Sequence, residues 1–204
     1  MKSKLFAFSG ACHSGKTTAI DTLKKWLENQ GHACDVLKEL LRKQDGINDI
    51  DKIRANSSRY LALQSKIIRE KIRQETEMDS PWPVLVDRSV ADSLYYLTTY
   101  TNKHKLSAAE LEEYADLIRL IHDHAASKPY AAVFVFRPIT VTQVDPLRPV
   151  NLTRLQRAEF SCIRTLNRGL FDGLDDVYFR TVAASSSEDM DAMFSAILRI
   201  SKCH

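Results

Sequence analysis

Residues 10–17 read Gly10-Ala11-Cys12-His13-Ser14-Gly15-Lys16-Thr17, and they follow at once on the alternating run Lys4-Leu5-Phe6-Ala7-Phe8. The eight residues complete a Walker A pattern, G-x-x-x-x-G-K-T. A strand that ends in a glycine-rich turn and runs into a helix aims consecutive backbone N–H groups at one point, where a polyphosphate is held. Ile20, Leu23, Trp26 and Leu27 supply the apolar face of that helix. Gly10, His13, Ser14, Gly15, Lys16, Thr17 and Thr18 are therefore the expected phosphate cradle. In such a loop Lys16 reaches the β- and γ-phosphates, the Thr17 hydroxyl takes one position on Mg²⁺, and Thr18 lies near the α-phosphate. The Cys12 and His13 side chains occupy variable positions and act as fillers.

Outward from the loop, short β-rich runs alternate with helical patterns, the signature of a parallel sheet with helices on both faces. Five strands are expected, at residues 4–8, 33–38, 84–87, 131–136 and 177–181. Each is short and apolar, as strands covered on both faces are. Between the second and third lies the turn-rich Asp45-Gly46-Ile47-Asn48-Asp49, then a helix of about 25 residues ending near Met78. Pro81 and Pro83 close it off. Between the fourth and fifth come a proline-broken loop over 137–150 and a long helix to about Leu174; a last helix starts near Glu188. One domain over 1–204 is expected, with 45–80 as an acceptor-binding helical insert and 137–168 as an arginine-rich lid.

At 204 residues the chain is long enough to bury a sizeable α/β core. A formal net charge of +3 does not by itself argue for nucleic acid or a membrane surface. Cys12, Cys34, Cys162 and Cys203 show no C-x-x-C pair or other metal spacing, and they read as reduced thiols of a cytoplasmic protein. No apolar stretch approaches the length of a membrane span, and the first strand starts too early to leave room for a signal peptide. His122 and His124, two apart in a helical pattern, point to different faces and suggest no metal site.

The third strand, Val84-Leu85-Val86-Asp87, ends in a carboxylate and is followed by Arg88. An acid at the carboxyl end of a strand beside the phosphate loop is placed to hold Mg²⁺. The alternative is a helix cap, work that Ser89 does equally well. A hydrolytic ATPase motor would commonly carry a second acid after Asp87 to activate water; the arginine there suits a negatively charged acceptor instead. The guanine-reading N-K-x-D pattern is absent, since Asn102-Lys103-His104-Lys105 lacks the acid.

The G-A-C-H-S-G-K-T-T at 10–18, the E-L-L-R at 39–42, the D-R-S at 87–89 with Asp92 beyond it, and the D-P-L-R at 145–148 stand in an order and spacing that resemble one P-loop kinase group. That group contains deoxynucleoside kinases, thymidylate kinases and nicotinamide riboside kinase domains. The resemblance covers most of the chain. It implies an α/β three-layer fold whose parallel sheet has strand order 2-3-1-4-5, and transfer of a phosphoryl group from ATP to a small nucleoside-like acceptor. It also implies that Glu39 takes the proton of an attacking 5′-hydroxyl, that Asp145 orients the lid, and that backbone groups after the fifth strand recognise adenine.

The physical reason for an acid at Glu39 is that a sugar hydroxyl is a poor nucleophile until a base lies within hydrogen-bond reach, whereas a monophosphate oxygen is already anionic. The competing reading starts a solvated helix at Glu39 and pairs it with Lys43. Arg42, one turn on, approaches the acceptor or the transferred group. In the insert, Ile53, Tyr60, Leu61, Ile68 and Ile72 follow helical spacing, with Ser57 and Gln64 on the same stripe. Gln64 either presents its amide to a base or nicotinamide edge or faces water at the boundary, and Tyr60 either stacks on a ring or joins the core.

Between 137 and 168 the basic residues are Arg137, Arg148, Arg154, Arg157, Arg164 and Arg168, with no lysine. Arginine binds phosphate oxygens bidentately and keeps its charge when desolvated, which a closing lid requires. Arg137 and Arg148 are the expected contacts to the transferred group, Arg154 and Arg157 share the role, and Arg164 and Arg168 form a solvated face pairing with acids such as Asp172. Together these readings describe an ATP- and Mg²⁺-dependent kinase acting on a nucleoside-like hydroxyl. Lys16, Glu39, Arg137 and Arg148 are its catalytic set, Arg42, Gln64, Arg88 and Asp92 its acceptor set, and Thr17 and Asp87 its metal set. The rivals are a nucleoside monophosphate kinase in which Arg42 and Arg88 clamp an acceptor phosphate, a kinase acting on a modified base or end in DNA, and a nucleotide-dependent switch. An apolar helix face meets either the sheet or a second copy in a homodimer.

Overall fold

Alternation along β1 (Leu5–Gly10) sets the layering of the chain. Leu5 and Ala7 project to one side of the sheet and Phe6 and Phe8 to the other, all of them buried. In a computed structural model that describes residues 3–12, 14–40, 50–127, 129–139, 152–172, 174 and 177–202, β1 is the central strand of five. It is flanked by β3 (Val84–Asp87) and β4 (Tyr130–Phe136), with β2 (Asp35–Leu37) beyond β3 and β5 (Tyr178–Val182) beyond β4. The order is β2-β3-β1-β4-β5 and every pairing is parallel, as expected. Register brings Phe8 beside Asp87 and Gly10 beside Phe136, so the end of β1 meets the carboxyl ends of both neighbours.

One face of the sheet packs on α3 (Ser57–Glu77), α4 (Val90–Tyr100), α5 (Ala108–Ala126) and α6 (Leu152–Phe171), through Ile68, Leu94, Leu117, Ile121 and Phe171 among others. The other face packs on α1 (Lys16–Asn29) and α7 (Ser187–Lys202), where Ile20, Leu23 and Leu27 meet Met193, Phe194 and Ile197. Full burial of one such side chain is worth roughly 1.5–3 kcal/mol. A capping box starts α5, the Ser107 side chain accepting from Glu110 N while the Glu110 carboxylate accepts from Ser107 N.

Element ends differ from the sequence reading in ways that have local causes. β1 runs on to Gly10 because β4 keeps bonding it as far as Phe136. β2, an edge strand with β3 as its one partner among the described residues, shrinks to three residues. The single insert helix is two: α2 (Ile50–Arg54) and then α3, separated at Asn56. Asn56 adopts an extended conformation, φ −115° and ψ 106°, and its side chain accepts a hydrogen bond from Arg59 N, so it caps a new helix instead of continuing the old one.

Candidate functional site

At the carboxyl end of β1 the chain turns through two glycines that no other residue fits. Gly10 has φ +135°, and a Cβ there would sit 2.7 Å from the Phe136 carbonyl oxygen. Gly15 has φ +84°, and a Cβ there would sit 2.7 Å from Ala184 Cβ and 2.8 Å from Ile139 Cδ1. Gly15 is also the residue before α1, which begins with no side-chain cap and no acid in its first turn. The first N–H groups of α1 are thus left to an anion, at the positive end of the helix dipole.

Lys16 is folded back into this turn. Its Nζ donates to Gly10 O at 2.8 Å, Ala11 O at 2.6 Å and Ser14 Oγ at 3.2 Å. Burial, with the Arg88 charge adding to it, pulls its pKa down from 10.5 to about 8. Thr17 and Thr18 stand exposed on the first turn. The Thr17 hydroxyl donates to Asp87 Oδ2 at 3.3 Å, while the other oxygen of Asp87 is buried with no hydrogen-bond partner among the described residues. Burial pushes Asp87 above the usual carboxylate range and the Glu39 charge adds to this, against Arg88 and Lys16. A desolvated carboxylate with an orphaned oxygen beside a threonine hydroxyl is a donor set that fits a hard divalent cation. Ser89, not Asp87, precedes α4, although its hydroxyl makes no cap bond and goes instead to Asp92 and Asn167.

A cleft opens beside Asp87, with about 760 Å³ of space not filled by atoms, part of it continuous with solvent. Its floor is the pair of Glu39 and Arg88, Oε1 to Nε 2.6 Å, each side chain 13% exposed. Arg88 has φ +75°, a conformation that costs a side chain on the order of 1–2 kcal/mol. Its Nη1 donates to the Tyr96 hydroxyl at 3.0 Å, Gly10 O at 3.3 Å and Asp92 Oδ2 at 3.4 Å, and its guanidinium carbon lies 5.1 Å from the centre of the Tyr96 ring. Burial works against the Arg88 charge, but the oxygens of Tyr96, Glu39 and Asp92 more than offset it and hold the proton firmly. Tyr60, Gln64, Tyr96 and Arg54 wall the cleft, the Arg54 guanidinium lying 4.0 Å over the Tyr100 ring. Gln64 is buried against this cleft, so it is no boundary residue facing water, and Tyr60 is both core and wall.

Other residues singled out in the sequence do not line this cleft. Asp92, expected against the acceptor, is fully buried beneath the phosphate loop. Its carboxylate accepts from the Ser9 hydroxyl, from Gly10 N at 3.2 Å and from Ser89 Oγ at 3.1 Å, all contacts within the protein. Arg137 stands exposed just past β4, outside the cleft lining, with its backbone N–H bonded to Val182 O. Arg164 is exposed, and Arg168 pairs with Asp172 at 2.7 Å on the solvated face expected for it. His13, Arg42, Lys43, Asp145 and Arg148 lie outside the described residues, as does the side chain of Arg154.

Cys12 is more than a filler: its sulfur lies 3.4 Å from the Tyr96 hydroxyl, and its backbone N–H donates to Glu159 Oε1 at 3.3 Å. Sequence reasoning also missed Tyr96, Glu159, Gln156 and Asn167. Tyr96 donates to Glu159 at 2.5 Å, and Gln156 donates to Cys12 O at 3.4 Å, so α6 grips the phosphate loop. The signal available was spacing, because Gln156, Glu159, Ile163 and Asn167 share one face of α6.

Solved structures share this fold. NadR protein in complex with NR aligns with a TM-score of 0.62 and 17% identity over 100% of this chain and 53% of the other. NadR protein in complex with NAD and AMP-PNP aligns with a TM-score of 0.63 and 19% identity over 100% and 51%. The chain therefore spans about half the length of these proteins, and at such identity the likeness is one of fold. No curated protein matches the chain. A family model described as AAA domain matches residues 5–170. That match begins with the first residue of β1, ends within the last turn of α6 and takes in every strand but β5, so the chain belongs to the AAA-domain family.

Proposed function

We propose that the chain is an ATP- and Mg²⁺-dependent kinase that moves the γ-phosphoryl group to a hydroxyl of a small nucleoside-like acceptor. The observation that carries this reading is the Glu39–Arg88 pair, which lies on the floor of the cleft whose wall includes Asp87. A carboxylate held by an arginine there suits a proton acceptor for the attacking hydroxyl. The triphosphate would lie on the α1 N-terminus with Lys16 turned out from its carbonyl partners onto the phosphates. Thr17 and Asp87 would hold Mg²⁺, which when bound supplies neutralisation of charge on the β- and γ-phosphate oxygens. Catalysis is then positioning and electrostatics: acceptor and donor are fixed in line, and Arg88 keeps Glu39 oriented toward the hydroxyl.

Solved NadR proteins carrying NR, NAD and AMP-PNP support a nucleotide donor and a small ribosyl-type acceptor in this fold. The monophosphate-kinase reading is weaker, because the Arg88 donors that would clamp an acceptor phosphate already engage Glu39, Asp92, Gly10 O and Tyr96. The test is a phosphoryl-transfer assay with a panel of nucleosides, nucleoside monophosphates and nicotinamide riboside, followed by Glu39→Gln with the best acceptor. Loss of the base lowers kcat by about 10²-fold or more, with little change in the KM for ATP. A kcat within threefold of the parent would remove Glu39 from the chemistry, and ATP hydrolysis without any phosphorylated acceptor would remove the kinase reading.

A further inference from the structure

Residues 88–90 form the corner at which β3 turns into α4, and Arg88 holds its left-handed backbone there. Such a conformation persists only where the surroundings over-determine it. Two buried side chains grip the corner from either side. Lys71 Nζ donates to Arg88 O at 2.7 Å, and Val90 N donates to the Tyr130 hydroxyl at 2.8 Å. Both lead to one fully buried carboxylate, with Lys71 Nζ 2.8 Å from Glu75 Oε1 and the Tyr130 hydroxyl donating to Glu75 at 3.0 and 3.1 Å. His124 Nε2 completes the cluster at 2.7 Å from Glu75 Oε2. Burial works to raise the Glu75 pKa, but Lys71 and the His124 hydrogen bond outweigh it and the carboxyl sits below its usual range. α3, α5 and β4 thus converge on one anion, and the hydrogen bonds of that anion run to both sides of Arg88.

We propose that Lys71 and Tyr130, both anchored on Glu75, are positioning residues that lock the 88–90 corner and so aim the Arg88 guanidinium at Glu39. They act through Arg88. Without Lys71 the Arg88 carbonyl loses its buried donor, the backbone relaxes from its strained conformation, and the Arg88–Glu39 pair loosens. The kinetic consequence rests on the phosphoryl-transfer reading, whereas the structural consequence rests on geometry alone.

Two measurements separate them. The Arg88 Nε–H, bonded to Glu39 at 2.6 Å, should give a slowly exchanging resonance in ¹⁵N-labelled protein, assigned by its loss in Arg88→Lys. In Lys71→Met its exchange should speed by about tenfold or more. In the same variant kcat should fall about tenfold or more, while the KM for ATP stays within about twofold. Tyr130→Phe, which keeps the ring, should shift both in the same direction by less, and it carries the test where Lys71→Met does not fold. Leu117→Ala, a buried change on α5 that removes none of the hydrogen bonds of the corner, should lower Tm and leave both quantities at parent values. If Lys71→Met or Tyr130→Phe alters exchange and kcat no more than Leu117→Ala does, the positioning role is wrong. If the parent phosphorylates no acceptor, the reaction assigned above falls, and the Nε–H exchange still decides the role of Lys71.

Discussion

Lys16 carries its charge where burial works against it, and this has a measurable sign. Its pKa in the folded chain, about 8, lies below the ordinary lysine value of 10.5, so between those values the unfolded chain binds more protons than the folded one. The penalty is fully present below pH 8, and the stability of the ligand-free protein gains on the order of 3 kcal/mol from this group as pH rises through that window. A triphosphate reverses the shift by offering Lys16 an anion. Nucleotide binding at pH 9 should therefore take up close to one proton, read by calorimetry in buffers of different ionisation enthalpy, and Lys16→Met should abolish both uptake and binding. Equal heats in all buffers would refute the assignment. Lys16 and Thr17 were legible in the sequence because the turn they share fixes them, and Asp87 because it closes a short apolar strand. The Glu75 cluster was not, since Glu75 meets His124 and Tyr130 across 49 and 55 positions, and no local pattern announces such a meeting.

Helix α6 shows what a single element contributes to the loop beneath it. Asn167, fully buried, donates to Ser9 Oγ at 2.7 Å and Ile163 O at 2.9 Å and accepts from Ser89 Oγ at 2.7 Å, tying α6 to β1 and to the start of α4 at once. Asn167→Ala leaves two buried hydroxyls short of partners, which should cost about 2–4 kcal/mol and lower Tm by roughly 5–15 °C. AMP-PNP affinity should fall as well, because Ser9 and Asp92 hold the end of β1. An unchanged Tm in a thermal melt would refute this. The apolar stripe of α6 was readable at helical spacing, but Asn167 sits on that stripe, and only the layer it packs against reveals that a polar side chain there has a full set of partners. The split of the insert into α2 and α3 was hidden for a related reason: the apolar period continues through Asn56, while the backbone stops to be capped.

Across the whole molecule the sheet separates two apolar cores, one under α1 and α7 and the other under α3, α4, α5 and α6. Ile20 lies in the first and Ile121 in the second, both 2% exposed or less. Ile20→Val and Ile121→Val should each cost about 0.5–1.5 kcal/mol. Combined, they should add to within about 0.5 kcal/mol in urea unfolding, since no contact is shared. A larger coupling would mean that the sheet transmits strain between its faces. A parallel sheet with cover on both faces was legible in the alternation of elements, and its strand order in the resemblance to the P-loop kinase group, whereas the walls of the cleft depend on how α3 and α4 lie against each other. That division has an evolutionary consequence. On the proposed reaction, mutations in the cleft walls on α3 and α4 would recast acceptor preference, and those around β1 and α1 would spoil nucleotide capture. On that reaction, a lineage built on this frame would change its acceptor at cleft positions such as Arg54 and Gln64 while the donor loop stays as it is.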